Sequence, residues 1–273
     1  MDYISIKNLE VFSKHGVLEE ENRLGQKFAI DLCMYFDTRV AGVSDDLEKS
    51  VDYGKVCHFV NAFMKGHTYK LIETAAERLA EDILIEYPAL SKVGITVKKP
   101  WAPIGLPLEE VAVTIERGWH TAFLSLGSNM GDREEYIRNA LNILRENDRI
   151  SILSESDLIE TEPYGMLQQD KFINGAIGLR TLHTPTELLT FCKNLEKMAG
   201  RVKTEHWGPR PLDIDILFYD DAVVDLPDLT IPHIDMQNRQ FVLEPLCQIA
   251  PYLRHPIFKK TIKEMFDELK AKA

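Results

Sequence analysis

Gly200-Arg201-Val202-Lys203-Thr204-Glu205-His206-Trp207-Gly208-Pro209-Arg210-Pro211-Leu212-Asp213-Ile214-Asp215-Ile216-Leu217 is the stretch on which the reading of this chain turns. Asp213 and Asp215 stand two residues apart in an apolar run. On a strand, period two turns both carboxylates to one face and Leu212, Ile214 and Ile216 to the other. Adjacent carboxylates repel unless a cation lies between them. Hard oxygen ligands with room left for phosphate oxygens suit Mg2+. Arg201 and Arg210 bring planar donor forks for the same phosphates, and Lys203 adds a point charge. Taken alone, such a pair also fits a solvated sheet edge. The arginines and the Trp-Gly-Pro-Arg turn around it favour a metal–nucleotide site for phosphoryl-type transfer.

The segments before this stretch alternate between strand and helix patterns. Ala122–Leu126 reads as a short strand ending in Gly127-Ser128-Asn129, and Arg133–Leu144 as a helix. Strands are expected near Ile150–Glu160 and Asn174–Leu182, then a helix from Pro185 to Met198 with Thr184 as N-cap. In the first part, Ile4, Ile6, Leu9 and Val11 suggest a strand whose alternation slips once. Phe28 to Phe36 alternates cleanly. Two amphipathic helices follow over Tyr53–Lys65 and Leu71–Ile85, then strands on Val93/Ile95/Val97 and Val111/Val113/Ile115. The order is α+β.

The chain has 273 residues, 45% hydrophobic, which suits one large or two medium globular domains. A net charge of −11 argues against general nucleic-acid binding, so an anionic nucleotide needs a local basic pocket. No apolar run approaches the roughly 20 residues that span a bilayer, and no membrane partner is expected. Cys33, Cys57, Cys192 and Cys247 lack paired spacing, and the start Met1-Asp2-Tyr3-Ile4-Ser5 lacks a signal-peptide pattern. Both favour a reducing, cytoplasmic setting.

The Arg201–Leu217 run resembles the signature of the hydroxymethyl-dihydropterin pyrophosphokinase family. Leu126-Gly127-Ser128-Asn129, Phe172-Ile173-Asn174-Gly175-Ala176 and Pro232-His233-Ile234-Asp235-Met236-Gln237-Asn238-Arg239-Gln240-Phe241 fit it in the same order. The resemblance implies pyrophosphoryl transfer from ATP to a pterin hydroxymethyl oxygen, leaving AMP. It implies two Mg2+ ions on Asp213 and Asp215, with Asp215, Arg201 and Arg210 catalytic. Glu196, Arg201, Lys203, Arg210, His233 and Arg239 would contact ATP; Thr161, Asn174, Trp207 and Phe241 would hold the pterin. By itself Phe241 also reads as core, and Glu196 as a solvated helix position. Lys203, Phe172 and Ile234 depart from the family pattern, as does the loop Glu162-Pro163-Tyr164. No P-loop motif is present.

His15-Gly16, Glu21 to Gln26, Asp52-Tyr53-Gly54, Leu71 to Arg78 and Lys98 to Ile104 resemble, in order and spacing, the dihydroneopterin aldolase family. Taken singly, Glu73 reads as a helix-start charge, Tyr53 as packing, Lys99 as a strand-end charge and Glu21 as a loop charge. The resemblance implies a metal-free, Schiff-base-free aldol cleavage, with Glu73 anchoring the pterin. Lys99 and Tyr53 would move protons, and Glu21 would lie near the side chain of the substrate. It implies a homo-oligomer in which Tyr53 reaches a neighbour's site. Two alternatives stand beside it: a non-catalytic pterin-binding assembly module, and side-chain epimerisation by the same Lys99/Tyr53 pair. Together the resemblances imply a ββααββ tunnelling-type (T-fold) domain over 1–118. A ferredoxin-like α/β sandwich would follow over 119–273.

Overall fold

The computed structural model describes residues 1–163, 169–201 and 209–272, in two compact units, Met1–Trp119 and His120–Ala273. Lys203 and Trp207 lie outside the described residues.

The first unit runs β1 (Tyr3–Ser13), α1 (Glu19–Leu24), β2 (Gln26–Tyr35), α2 (Arg39–Ser44), α3 (Tyr53–Gly66), α4 (Ile72–Glu86), β3 (Lys92–Lys99) and β4 (Val111–Gly118). Its sheet has the order β1-β2-β3-β4, all neighbours antiparallel. Phe28, Ile30, Leu32 and Met34 of β2 and Val93, Ile95 and Val97 of β3 are buried, as are Val56, Val60 and Phe63 of α3 and Ala76, Leu79 and Ile83 of α4. The slip expected in the first strand is a register shift between Ile6 and Leu9. Asn8 adopts φ 57° there, and its N–H donates to Asp31 Oδ1 at 2.7 Å. Such a bulge re-aims the strand without ending it. The short helices α1 and α2 had no periodic signal. Asp52 caps α3 through the Lys55 N–H at 3.1 Å.

The second unit runs β5 (His120–Ser128), α5 (Arg133–Arg145), β6 (Ile150–Glu155), β7 (Ile159–Thr161), β8 (Phe172–Thr181), α6 (Pro185–Met198), β9 (Asp213–Tyr219), β10 (Val224–Leu226), β11 (Leu229–Ile231), α7 (Gln240–Ile249) and α8 (Ile262–Lys270). Its sheet order β6-β8-β5-β9 is antiparallel throughout and places the fourth strand of a βαββαβ unit beside the first. That is the ferredoxin-like arrangement expected. The single strand expected near Ile150–Glu160 is two, β6 and β7, both pairing β8. The split follows from Ser156 and Asp157, whose side chain and backbone N–H bond to Ala176 N and Gln248 Oε1 instead of continuing the ladder. Thr184 and Glu187 form a reciprocal capping box at α6, with Pro185 in the first turn.

The alternation expected on β9 holds for its first half only. Ile214 and Ile216 are buried against the α5/α6 side of the sheet, with Asp213 and Asp215 turned the other way. Leu217 and Phe218 are buried as well, the core there being shared with α7 and α8.

His15 is fully buried, accepts the Tyr69 N–H on Nδ1 at 3.1 Å and stacks on the Tyr69 ring. Burial, chiefly, pushes its imidazole down to about 4. A histidine kept neutral when folded stabilises the protein fully above its unfolded value near 6.5. That contribution is lost as pH falls from there through about 4. Urea unfolding of the full chain is expected to weaken between pH 7 and pH 4 by on the order of 3 kcal/mol more than in His15→Asn. Equal pH dependence of the two proteins would contradict this assignment.

Candidate functional sites

In the first unit, Glu21 and Lys99 form an ion pair at 2.6 Å, with side chains 9% and 11% exposed. Neither is the solvated loop or strand-end charge its local sequence suggests. Glu21 also accepts the Leu18 N–H at 3.1 Å and the Gln26 amide at 2.8 Å. Burial disfavours its ionised form, but Lys99 and these two donors outweigh it, holding the carboxyl below the ordinary range. Gly16 makes the arrangement possible: a Cβ there would sit 2.2 Å from Glu21 Oε2. Tyr53 and Glu73 occupy the first turns of α3 and α4 and are exposed, Tyr53 at 61%. The structure therefore joins Glu21 to Lys99 and leaves Tyr53 and Glu73 facing outward. Trp101 and Ile104, beyond the end of β3, are exposed too.

In the second unit a cleft of about 230 Å³ lies over the sheet, lined by both β9 carboxylates and by Thr161, Asn174, Arg210, His233, Arg239 and Phe241. The floor is β5. Gly127 pairs with Asn174 on one side and Asp213 on the other, and Ser125 pairs with Asp215. A Cβ at Gly127 would lie 3.0 Å from Asn174 Oδ1, so a side chain there would press on Asn174. Asn174 is buried and donates to Thr161 Oγ1 at 2.7 Å. Phe172 and Phe241 contribute ring surface, with the Arg239 guanidinium 5.9 Å from the Phe241 ring. Phe241 is both things its sequence allowed, packed against the α7/α8 core and lining the cleft.

Asp213 is held by two arginines: Arg201 at 2.9 Å, and Arg210 at 2.7 Å to each carboxylate oxygen. Asp215 meets His233 at 3.7 Å and Arg239 at 3.6 Å. Burial, and after it the Asp213 charge, raise the Asp215 carboxyl above its ordinary range. Burial likewise lowers the His233 imidazole, against the pull of Asp215. Ile234 is exposed beside His233.

Glu196 is buried, contrary to the solvated reading. One oxygen accepts the Ile214 N–H at 2.9 Å and pairs with Arg201. Burial raises its pKa despite those partners. Two further residues had been quoted only as parts of motifs. Asp235 accepts from Arg239 Nε at 3.0 Å and orients it; the i, i+4 spacing was the available signal. Asn129 clasps Arg210 through the backbone, and nothing local in the sequence announces it.

Residues 4–116 match the family model described as dihydroneopterin aldolase, and residues 123–251 the model described as 7,8-dihydro-6-hydroxymethylpterin-pyrophosphokinase. Folic acid synthesis protein fol1 of Schizosaccharomyces pombe is 43% identical over 148 residues, covering 54% of this chain and 20% of that protein. The 2-amino-4-hydroxy-6-hydroxymethyldihydropteridine pyrophosphokinase of Aquifex aeolicus is 40% identical, covering 54% of this chain and 91% of that protein. A crystal structure titled as a putative dihydroneopterin aldolase from Vibrio cholerae aligns with TM-score 0.41 and 36% identity, over 43% of this chain and 98% of that one. The chain spans between 20% and 44% of the length of the first curated relatives it matches.

Removing the Glu196 carboxylate strands the Ile214 N–H and leaves Arg201 short of a partner. Glu196→Ala should lower unfolding stability by about 1–3 kcal/mol, while Glu196→Gln, which can still accept from Ile214, should lose less. Thermal melts of the three proteins check this; equal melting temperatures would show that the buried carboxylate holds nothing.

Proposed function

Since this chain belongs to the dihydroneopterin aldolase family in its first unit and to the hydroxymethyl-dihydropterin pyrophosphokinase family in its second, we propose that it catalyses two consecutive steps on one pterin. The first unit would cleave dihydroneopterin to hydroxymethyl-dihydropterin and glycolaldehyde. The second would move a pyrophosphoryl group from ATP to the new hydroxymethyl oxygen, releasing AMP. The observation that carries the second reading is the single cleft in which the β9 carboxylates and arginines face the Asn174–Thr161 pair. One side suits a polyphosphate and the other a flat polar ring edge.

In that cleft Asn174 and Thr161 would read the pterin edge, with Phe172 and Phe241 against its faces. Arg201 and Arg210 neutralise Asp213 in the protein described; we infer that they turn to the phosphates when nucleotide arrives. By the same reading His233, Arg239, Glu196 and Lys203 would contact ATP, and Trp207 would join the aromatic walls of the pterin pocket. The donor set fits Mg2+. Among the described residues no group of three or more His, Cys, Asp or Glu side chains converges as a metal cage. Two carboxylates completed by phosphate oxygens and water are the usual protein share of an Mg2+ site. Such ions, two in this reading, on Asp213 and Asp215 would neutralise the triphosphate charge. Asp215, whose charged form is disfavoured by Asp213 and burial, gains most from that cation.

In the first unit, Lys99, steered by Glu21, is read as the proton-transfer group for the aldol step, with Tyr53 completing the relay. Glu73 would accept two N–H groups of the pterin. The aldol half is read as needing no cofactor. Tyr53 and Glu73 face outward, and β1 and β4 are open sheet edges within one protomer. Edges of this kind are ordinarily paired or covered. We therefore infer a homo-oligomer formed through residues 1–118, with 119–273 carrying the transferase. Cys33, Cys57, Cys192 and Cys247 are all free thiols, which supports a cytoplasmic location, and no described helix is long and apolar enough to cross a membrane.

With dihydroneopterin and ATP supplied, glycolaldehyde and AMP should both form. Asp215→Ala should cut AMP formation by roughly 10³-fold, about 4 kcal/mol, and spare glycolaldehyde release. Lys99→Ala should cut glycolaldehyde release from dihydroneopterin and spare AMP formation when hydroxymethyl-dihydropterin is supplied directly. A chelator should reproduce the Asp215→Ala pattern in the unaltered chain. If chelation abolishes both products, the cofactor-free assignment of the aldol step is wrong.

A further inference from the structure

We propose that Asn129 is a positioning residue that ties the two segments flanking the cleft to the end of β5 and so sets where Arg210 meets Asp213. The inference rests on the pyrophosphokinase reading and assigns that site a residue that touches neither carboxylate.

Asn129 is the first residue past β5 and is 2% exposed. A buried primary amide is costly unless its donors and acceptor are satisfied. Here each one is used, and each goes to a cleft wall. The Asn129 N–H donates to Arg210 O at 3.1 Å, and Asn129 Oδ1 accepts the Arg210 N–H at 2.7 Å. Asn129 Nδ2 donates to Gln169 Oε1 at 3.1 Å and lies 3.4 Å from Asp170 O. The first two bonds grip the backbone entering β9; the second two reach the Gln169 side chain and the Asp170 carbonyl in the segment entering β8.

The β9 side forms a closed ring of constraints. The Arg210 backbone is fixed by Asn129, its guanidinium grips both oxygens of Asp213, and Asp213 pairs through β9 with Gly127, two residues before Asn129. On the other side Gln169 lines the cleft, and Lys171 O accepts from Arg133 Nη1 at 2.6 Å. The β5–α5 connection is thus the common anchor of both walls. An arginine whose backbone floated would still be a cation nearby. It would not present its fork at a fixed place, and misplacement by about 1 Å suffices to slow a reaction roughly 100-fold.

A double-mutant cycle tests this on the full chain. Asn129→Ala is expected to lower kcat for AMP formation by roughly 10- to 100-fold when Arg210 is present. In an Arg210→Ala background it should cost less than about threefold, because the group it positions is gone. Asn129→Asp keeps an oxygen toward the Arg210 N–H and should fall between wild type and Asn129→Ala. A readout independent of turnover is amide hydrogen exchange at Arg210. It should be at least about tenfold faster in Asn129→Ala and near wild type in Asn129→Asp. Additive losses in the cycle, or unchanged Arg210 exchange in Asn129→Ala, would overturn the proposal. A wild-type chain that forms no AMP would instead sink the pyrophosphokinase reading, and the exchange experiment would still decide the role of Asn129.

Discussion

Two carboxylates forced onto one face of β9 are the constraint around which the second unit is arranged. Their mutual repulsion, in a partly desolvated cleft, has to be relieved by cations drawn from outside the strand. Arg201 comes from the end of α6, Arg210 from the segment leading into β9, and Arg239 from the start of α7. Each is itself held in place, by Glu196, by Asn129 and by Asp235 respectively. Each cation is therefore anchored by a second group as well as by its carboxylate partner.

The same strand solves a second problem. Among the described strands, β9 is the edge of its sheet and pairs with β5 alone. Its outer backbone groups are taken up by other elements: the Ile214 N–H by Glu196 and the Leu217 carbonyl by the His233 N–H. Covering the edge and placing groups beside Asp213 and Asp215 are one arrangement. Glu196 is buried because it has both tasks, which a surface-pattern reading of α6 would not show.

The first unit depends on a smaller device. Glu21 and Lys99 lie 78 positions apart in sequence, and their contact requires the β2–β3 pairing and the absence of a side chain at Gly16. The result is a shielded ion pair backed by a buried neutral histidine region. Tyr53 and Glu73 remain exposed at helix starts.

Much of this protein was legible from local pattern. Period-two runs located β2, β3, β4 and the start of β9. Period-3.6 stripes located α3 and α4, and Thr184-Pro185 with Glu187 marked the start of α6. Spacing and charge by themselves singled out Asp213, Asp215, Arg201 and Arg210, whereas Asn174, Glu21 and Lys99 stood out only through the resemblance to two families. Local pattern could not reveal that Glu196 is buried, that Ser156 and Asp157 break a strand in two, or that Asn129 joins two walls of a cleft. Those facts depend on partners 18 to 91 positions away. Residue type and spacing determine which chemistry a chain can carry, because side-chain period and charge are local properties. Which polar groups meet, and which lose water, is decided only when the sheet closes, because desolvation and hydrogen-bond geometry belong to the packed structure.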